Sequence, residues 1–423
     1  MKKYLQVFLI MLSVYSAAYS QNYWLRVPTP TTYDFYKCST TDSMNIWVAG
    51  DSAFMYHSSD GGINWVIQNP GLTPNYRLTE LFFLNERLGW TIAYDIYFGG
   101  TVLLRTTNGG INWTNLNFAD TVLNTIYFID SANGFIGDWS GGSILKTTNA
   151  GANWIRAVID SGALAPKNKF NFYNSQVGIC CGGLIDAGGP IWKTTDSGFN
   201  WFKCAEEGVP MFDIVFLDFN NIIAAGGEFD IGATFTNSTD NGTAWNSMYY
   251  GILAIGKSVA VRTRSEIWVP LGFHGGWEVS FDSTKTWQII PSDSNVAIND
   301  TRFSDPYHGW AVGSYGRLFK FNKEAIGIRN PQKNIPAAYK LYQNYPNPFN
   351  PTTTIIYEIP DASEVTITVY DMLGRKISTL VDKQQIAGSY KVEFDGSNLP
   401  SGVYFYKLSA GGYSISKKMI LIK

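Results

Sequence analysis

The chain has 423 residues, 45 % of them hydrophobic and 15 % aromatic, which is ample for a core and more than one ordinary domain needs. Charged residues make up only 16 %, and the formal net charge is −2. That balance excludes the clustered basic excess of a nucleic-acid surface.

In chain order, residues 1–20 read as a secretory signal peptide. Lys2 and Lys3 form its charged start, Leu5–Val14 its apolar core, and Ala18-Tyr19-Ser20 a small-residue cleavage site before Gln21. The apolar run is short for a membrane span and nothing later approaches its length, so no transmembrane span is expected. The exported chain is expected to be monomeric.

An eight-residue box then recurs: SSDGGINW ending at Trp65, TTNGGINW at Trp113, TTNAGANW at Trp154, TTDSGFNW at Trp201, STDNGTAW at Trp245 and SFDSTKTW at Trp287. The tryptophans are spaced by 48, 41, 47, 44 and 42 residues, the signature of a repeat architecture. Asp60, Asn108, Asn149, Asp196, Asp240 and Asp282 are expected to accept backbone N–H groups of their own turns, and the following Gly to supply a positive φ. Each Trp opens the next strand and buries its ring on a neighbouring unit. The sixth box departs from the pattern, with Thr284 where Gly is expected.

Upstream of each box runs a Gly- or Ile-led apolar strand, as at Ile46-Trp47, Gly89-Trp90, Gly134-Phe135 and Gly309-Trp310. Counting these strands gives seven units at a period of about 44, which fits four-stranded blades of a β-propeller. The seventh unit ends near Phe321 after three strands. Asn22–Val27 reads like the strand that follows each box and is expected to complete that blade, removing an exposed edge. The fold predicted for residues 21–322 is thus an all-β, seven-bladed propeller closed by an N-terminal strand. The cysteines at 38, 180, 181 and 204 are too few for a disulfide scaffold. They read as buried thiols, with a bond from Cys180 or Cys181 to Cys204 left open. Residues 323–338 lose the period and read as a linker. Residues 339–423 show short alternating strands between Gly, Asp, Asn and Pro turns, expected to form a small Ig-like β-sandwich.

The box resembles the Asp-box of the bacterial neuraminidase repeat, and the repeat set as a whole resembles the propeller family of photosystem II assembly factors and their non-photosynthetic relatives. The first resemblance implies an architecture and little about a ligand; the second implies a seven-bladed protein-binding platform rather than an enzyme. The last segment resembles the type A C-terminal sorting domain of the type IX (Por) secretion system of Bacteroidetes-like bacteria. YPNPFNPTT (Tyr345–Thr353), VYDMLGRKI (Val369–Ile377), GSYKVEFDGSNLPSGVYFYKL (Gly388–Leu408) and KKMILIK (Lys417–Lys423) carry it. This resemblance implies handling by the type IX machinery, passage through the periplasm, and a secreted or outer-cell-surface destination.

No nucleophile elbow, zinc-protease helix motif, phosphate-cradling glycine loop or Cys-x-x-Cys pair occurs. His57, His274 and His308 fall in different units, so no metal and no cofactor are expected. Leu25-Arg26-Val27-Pro28 superficially matches the arginine motif of sialidases, but Arg26 lies on the closing strand and no nucleophile pair accompanies it. The loops joining strands two and three lie at the end of the ring opposite the boxes. They carry the candidate ligand-binding residues Tyr94, Asp95, Tyr97, Asp138, Trp139, Asp186, Asp230, Phe273, His274 and Tyr315. Rings beside carboxylates on glycine-rich loops suit a sugar or a peptide. The favoured reading is a non-catalytic binding platform for a protein or glycan, with no catalytic residue assigned. The alternative is a carbohydrate-active enzyme, a glycoside hydrolase or lyase, whose two carboxylates would have to stand about 5–9.5 Å apart.

Overall fold

The computed structural model describes residues 23–422 except 117, 119–121, 140–141, 161–163, 250–253, 274, 293–295, 328–337, 345, 361–362 and 386–387. The expected signal peptide and most of the expected linker lie outside the described residues. The described residues fall into two compact units, the chain dividing between Lys323 and Glu324. Among them, no helix is long and apolar enough to cross a membrane.

The first unit holds seven sheets, and a cavity of about 310 Å³ is lined from the first strand of every one of them. Those inner strands are Phe35–Thr40, Tyr76–Phe83, Leu123–Phe128, Lys167–Phe172, Met211–Phe216, Ala260–Thr263 and Ile298–Asp305. In the seventh sheet, Trp24–Val27 is the outer strand, antiparallel to Arg317–Phe321, with Trp24 opposite Phe321. The Trp24 ring stacks on Trp277 at 5.0 Å and stands edge-on to Phe321 at 5.3 Å, joining the two ends of the repeat.

The glycine-led second strands have a packing cause. A Cβ at Gly89, Gly134, Gly178 or Gly309 would come within about 2.5 Å of the Phe83, Phe128, Phe172 or Phe303 ring, so each phenylalanine lies flat over a bare backbone. The next residue stacks on the other side of the sheet interface. Trp47 lies on Phe83 at 3.7 Å, and Trp90 on Phe128 at 3.6 Å. Sheet joins sheet through these ring pairs.

The expectation of four strands per unit needs one correction. The fourth sheet has five, because Val158–Ile159 runs parallel to the start of Asn200–Glu207. The long connection from the third sheet lies along this edge, where Val158 N–H donates to the Phe199 carbonyl and Lys203 N–H to Asp160. An edge that would otherwise be open is thereby paired. All four cysteines are free thiols; Cys38, Cys180 and Cys181 are buried, and the half-buried Cys204 donates to the Ile191 carbonyl.

The second unit contains a three-stranded sheet (Lys340–Leu341, Thr352–Ile359, Gly388–Asp395) and a four-stranded one (Lys376–Gln385, Ser363–Tyr370, Gly402–Ala410, Tyr413–Leu421). Ile355 and Tyr357 of the first share a core with Ile367, Val369, Tyr406 and Met419 of the second.

Candidate functional site

The two ends of the first unit are built on different rules. At the box end, Asp60 accepts the N–H groups of Ile63 and Asn64, while Ser58 Oγ accepts that of Gly62. Asp196 and Asp240 repeat the arrangement, and Asn108, Asn149 and Asp282 repeat its i+4 bond. These hydrogen bonds hold the Asp60 carboxyl down at about 2, through the backbone and side chain of Asn64 first. The fourth box residue donates to the loop between strands one and two in every copy, from Gly61 on Met44 to Ser283 on Ser265. Trp65, Trp154, Trp201 and Trp245 each donate through Nε1 to the box glycine carbonyl. Among the described residues, Trp113 and Trp287 find no such acceptor.

A lysine completes three of these turns. Lys146, Lys193 and Lys320, each on the third strand of one sheet, donate to the carbonyls of Ser197, Asn241 and Gly61 in the next sheet's box, at 2.7, 2.6 and 2.6 Å. Their only sequence mark is the position just before the box, or its equivalent in the seventh unit.

At the opposite end, the loop between strands two and three returns one N–H to the start of the same sheet's inner strand. Ile96 donates to Asn75, Trp139 to Val122, Gly183 to Pro166, Gly227 to Pro210, Gly272 to Ile255 and Ser314 to Ala297. On this frame sit the sequence candidates. Asp95 is buried and accepts the N–H groups of Tyr97 and Phe98 and the Asn75 amide. Asp138 is buried and accepts the Ser143 N–H at 2.8 Å. Asp186 has a φ of 63°, and its N–H donates to Glu228 of the adjacent sheet. Asp230 is exposed, and Tyr94 is half-buried. His274 lies outside the described residues. The rings behave differently: Phe98 is 89 % exposed, Tyr97 76 %, Tyr315 68 %, Phe273 57 % and Trp139 46 %. Phe229 and Phe273, from the fifth and sixth sheets, meet at 4.9 Å. The carboxylates shape the loops, and the rings face solvent.

Sequence reasoning missed the charge in the middle of the ring. Glu80 takes Lys37 at 3.2 Å and Lys169 at 2.9 Å, and Arg302 bridges Asp213 at 3.1 Å and Asp300 at 3.2 Å. Burial would raise the Glu80 carboxyl, yet Lys169 and Lys37 hold it below its ordinary value. Asp300 and Asp213 also accept the N–H groups of Cys38 and Val259 in the following sheets. These ions stitch inner strand to inner strand around the cavity. No local motif marks them, because Lys37–Glu80, Lys169–Glu80 and Arg302–Asp213 each join different sheets, and only Arg302–Asp300 lies within one strand.

Comparison with solved structures assigns the fold. The chain is similar to YCF48 bound to D1 peptide (19 % identity, TM-score 0.58, 72 % of this chain and 98 % of that one). It is similar to YCF48 from Cyanidioschyzon merolae (20 %, 0.57, 71 % and 99 %). A GH74 enzyme from Niastella koreensis also aligns (13 %, 0.56, 93 % and 74 %). At these identities the likeness shows a β-propeller and nothing about ligands. No curated protein matches the chain. Residues 343–423 match the family described as the secretion system C-terminal sorting domain, the Por secretion tail, which marks this chain as a secreted or cell-surface protein handled by the type IX machinery.

Proposed function

We propose that this protein is a non-catalytic binding platform for a protein or glycan, displayed outside the cell. In this reading, residues 21–322 form a seven-bladed propeller with Asp-box turns, closed by the N-terminal strand. Residues 323–338 link it to the sorting domain, residues 339–423, which takes the chain from the periplasm across the outer membrane.

The observation that carries the reading is the exposure of Tyr97, Phe98, Phe273 and Tyr315 at one end of a rigid ring. Large rings left in water on loops braced by backbone hydrogen bonds bind with little ordering cost. The nearby carboxylates Asp95 and Asp138 are buried in their own turns, a poor arrangement for general acid–base work on a glycoside. YCF48, a propeller of this kind, is described as binding a D1 peptide, which makes a peptide segment a reasonable ligand class here.

The test is a screen of the full chain on a glycan array and a peptide array, beside the triple variant Tyr97→Ala/Phe273→Ala/Tyr315→Ala. Binding that falls at least tenfold in the variant is expected. Blank arrays, or binding that the variant leaves unmoved, would sink the assignment. Removing residues 339–423 should leave a folded propeller in the periplasm; normal display of that truncation would refute the export route.

A further inference from the structure

One position of the repeat is used differently from sheet to sheet. Near the start of the inner strands the register slips by one residue, leaving an unpaired position at Tyr36, Thr79, Asn124, Asn168, Phe212 and Asn299. In the third, fourth and seventh sheets that residue is an asparagine whose amide donates to the next sheet. Asn124 donates to the Lys167 carbonyl, Asn168 to that of Met211 and Asn299 to that of Phe35, at 2.8–3.0 Å.

The repeat step puts Lys257 at this position in the sixth sheet. The register agrees, since Val259 N–H reaches Asp213 as Cys38 N–H reaches Asp300. Lys257 makes no clip to the seventh sheet. Its ammonium stands near two phenylalanine rings, 5.5 Å from that of Phe212 and 5.4 Å from that of Phe273, and Phe229 packs on Phe273 at 4.9 Å. Among the described residues no carboxylate pairs with it. Burial, and then the like charge of Lys37, push its pKa down. Gly272 seats its stem, because a Cβ there would meet Lys257 Cε at 2.5 Å. A cation has thus been placed, half-buried and without a counter-ion among the described residues, where three other sheets put a structural clip.

We propose that Lys257, with Phe212, Phe229 and Phe273, forms a subsite for the carboxylate of an acidic residue flanked by apolar side chains on an extended peptide. The proposal rests on the binding-platform reading and names a ligand for it. A carboxylate supplies the missing charge, and a charge-assisted bond in this partly dry setting is stronger than one in water. Three phenylalanines offer apolar faces and no polar edge, which suits aliphatic or aromatic neighbours of the acid better than the hydroxyls of a sugar.

The experiment uses the full chain on an array of octapeptides in which every Asp- or Glu-bearing spot has an Asn or Gln twin, with trigalacturonate as the acidic-glycan probe. Acid-bearing spots with apolar neighbours should bind at least tenfold more tightly than their twins, and should weaken as NaCl rises from about 50 to 500 mM. Lys257→Met, which keeps the apolar stem, and Gly272→Ala, which displaces the ammonium, should each abolish the preference. The salt response of the wild-type chain decides the matter even where a variant folds poorly. An acid preference that survives in both variants, or bound spots with no such preference, overturns the subsite and leaves the binding platform standing. Trigalacturonate binding with a blank peptide array overturns the peptide assignment. Silence from both probes overturns the subsite, and only a blank glycan array beside it overturns the platform reading as well.

Discussion

At the box end of the propeller the same solution is used again and again; at the loop end no two sheets agree. Asp60, Asp196 and Asp240 close identical turns, each braced on the neighbouring loop of its own sheet. Across the ring, Tyr97 and Phe98, Trp139, Phe229, Phe273 and Tyr315 project from loops that share one backbone bond and little else. Uniform residues answer a demand that every unit shares, which is closing a turn and burying a ring. Residues that differ from unit to unit answer a demand made once, and a ligand makes such a demand.

The comparison can be broken first at the box end. Trp201 is fully buried against Phe135, Phe170 and Phe172, so Trp201→Ala should cost about 3–5 kcal/mol in denaturant unfolding and leave loop-face binding intact in the folded fraction. A cost below about 1 kcal/mol would show that the box tryptophans are not core.

A buried acid between the two ends gives the next largest effect. Glu278, on the third strand of the sixth sheet, is 1 % exposed, and its Oε2 finds no partner among the described residues. Burial raises its pKa from 4.5 to about 7. A folded-state value above the unfolded one means its favourable contribution is complete below pH 4.5 and is lost as pH rises through 7. The wild-type chain should therefore lose roughly 2.5 kcal/mol relative to Glu278→Gln between pH 5 and pH 8. Parallel melting curves for the two proteins across that range would remove Glu278 as the cause.

The sixth box offers a smaller change of opposite sign. Thr284 occupies the glycine position at a φ of 70°, a region that a β-branched residue adopts only under strain. Thr284→Gly should stabilise by roughly 1 kcal/mol, read as a higher melting temperature. A lower one would mean that the weak bond from Asn237 to Thr284 Oγ1 matters more than the backbone. Smallest of all, Phe98→Ala should move stability by less than about 0.5 kcal/mol, because the ring is in water. A large loss would show that the loop-end rings are structural after all.

What the sequence discloses follows from how local each interaction is. The box is legible because Thr or Ser, Asp or Asn, Gly and Trp satisfy one another within eight residues. The glycine-led strands are legible as a period, although the cause, a phenylalanine lying over each glycine, appears only in three dimensions. The strand at Val158–Ile159 was hidden because two residues carry no period. The Lys37–Glu80–Lys169 and Asp213–Arg302 contacts were hidden because partners lie far apart in sequence, and the register slips that aim them have no residue signature. Asp95 and Asp138 read equally well as ligand groups or turn formers, since the same carboxylate chemistry serves both. Lys257 and Phe212 escaped notice because their meaning lies in a departure from a clip that Asn124, Asn168 and Asn299 make across sheets.

The most direct test of binding at the loop end is hydrogen exchange on the full chain, with and without a saturating array-selected peptide or glycan. Slowed exchange confined to residues 94–100, 226–232, 256–258, 271–273 and 313–316 is the predicted result. Slowed exchange at the boxes, residues 58–64 and 106–112, with the loop end unchanged, would place the ligand on the wrong face and contradict the account.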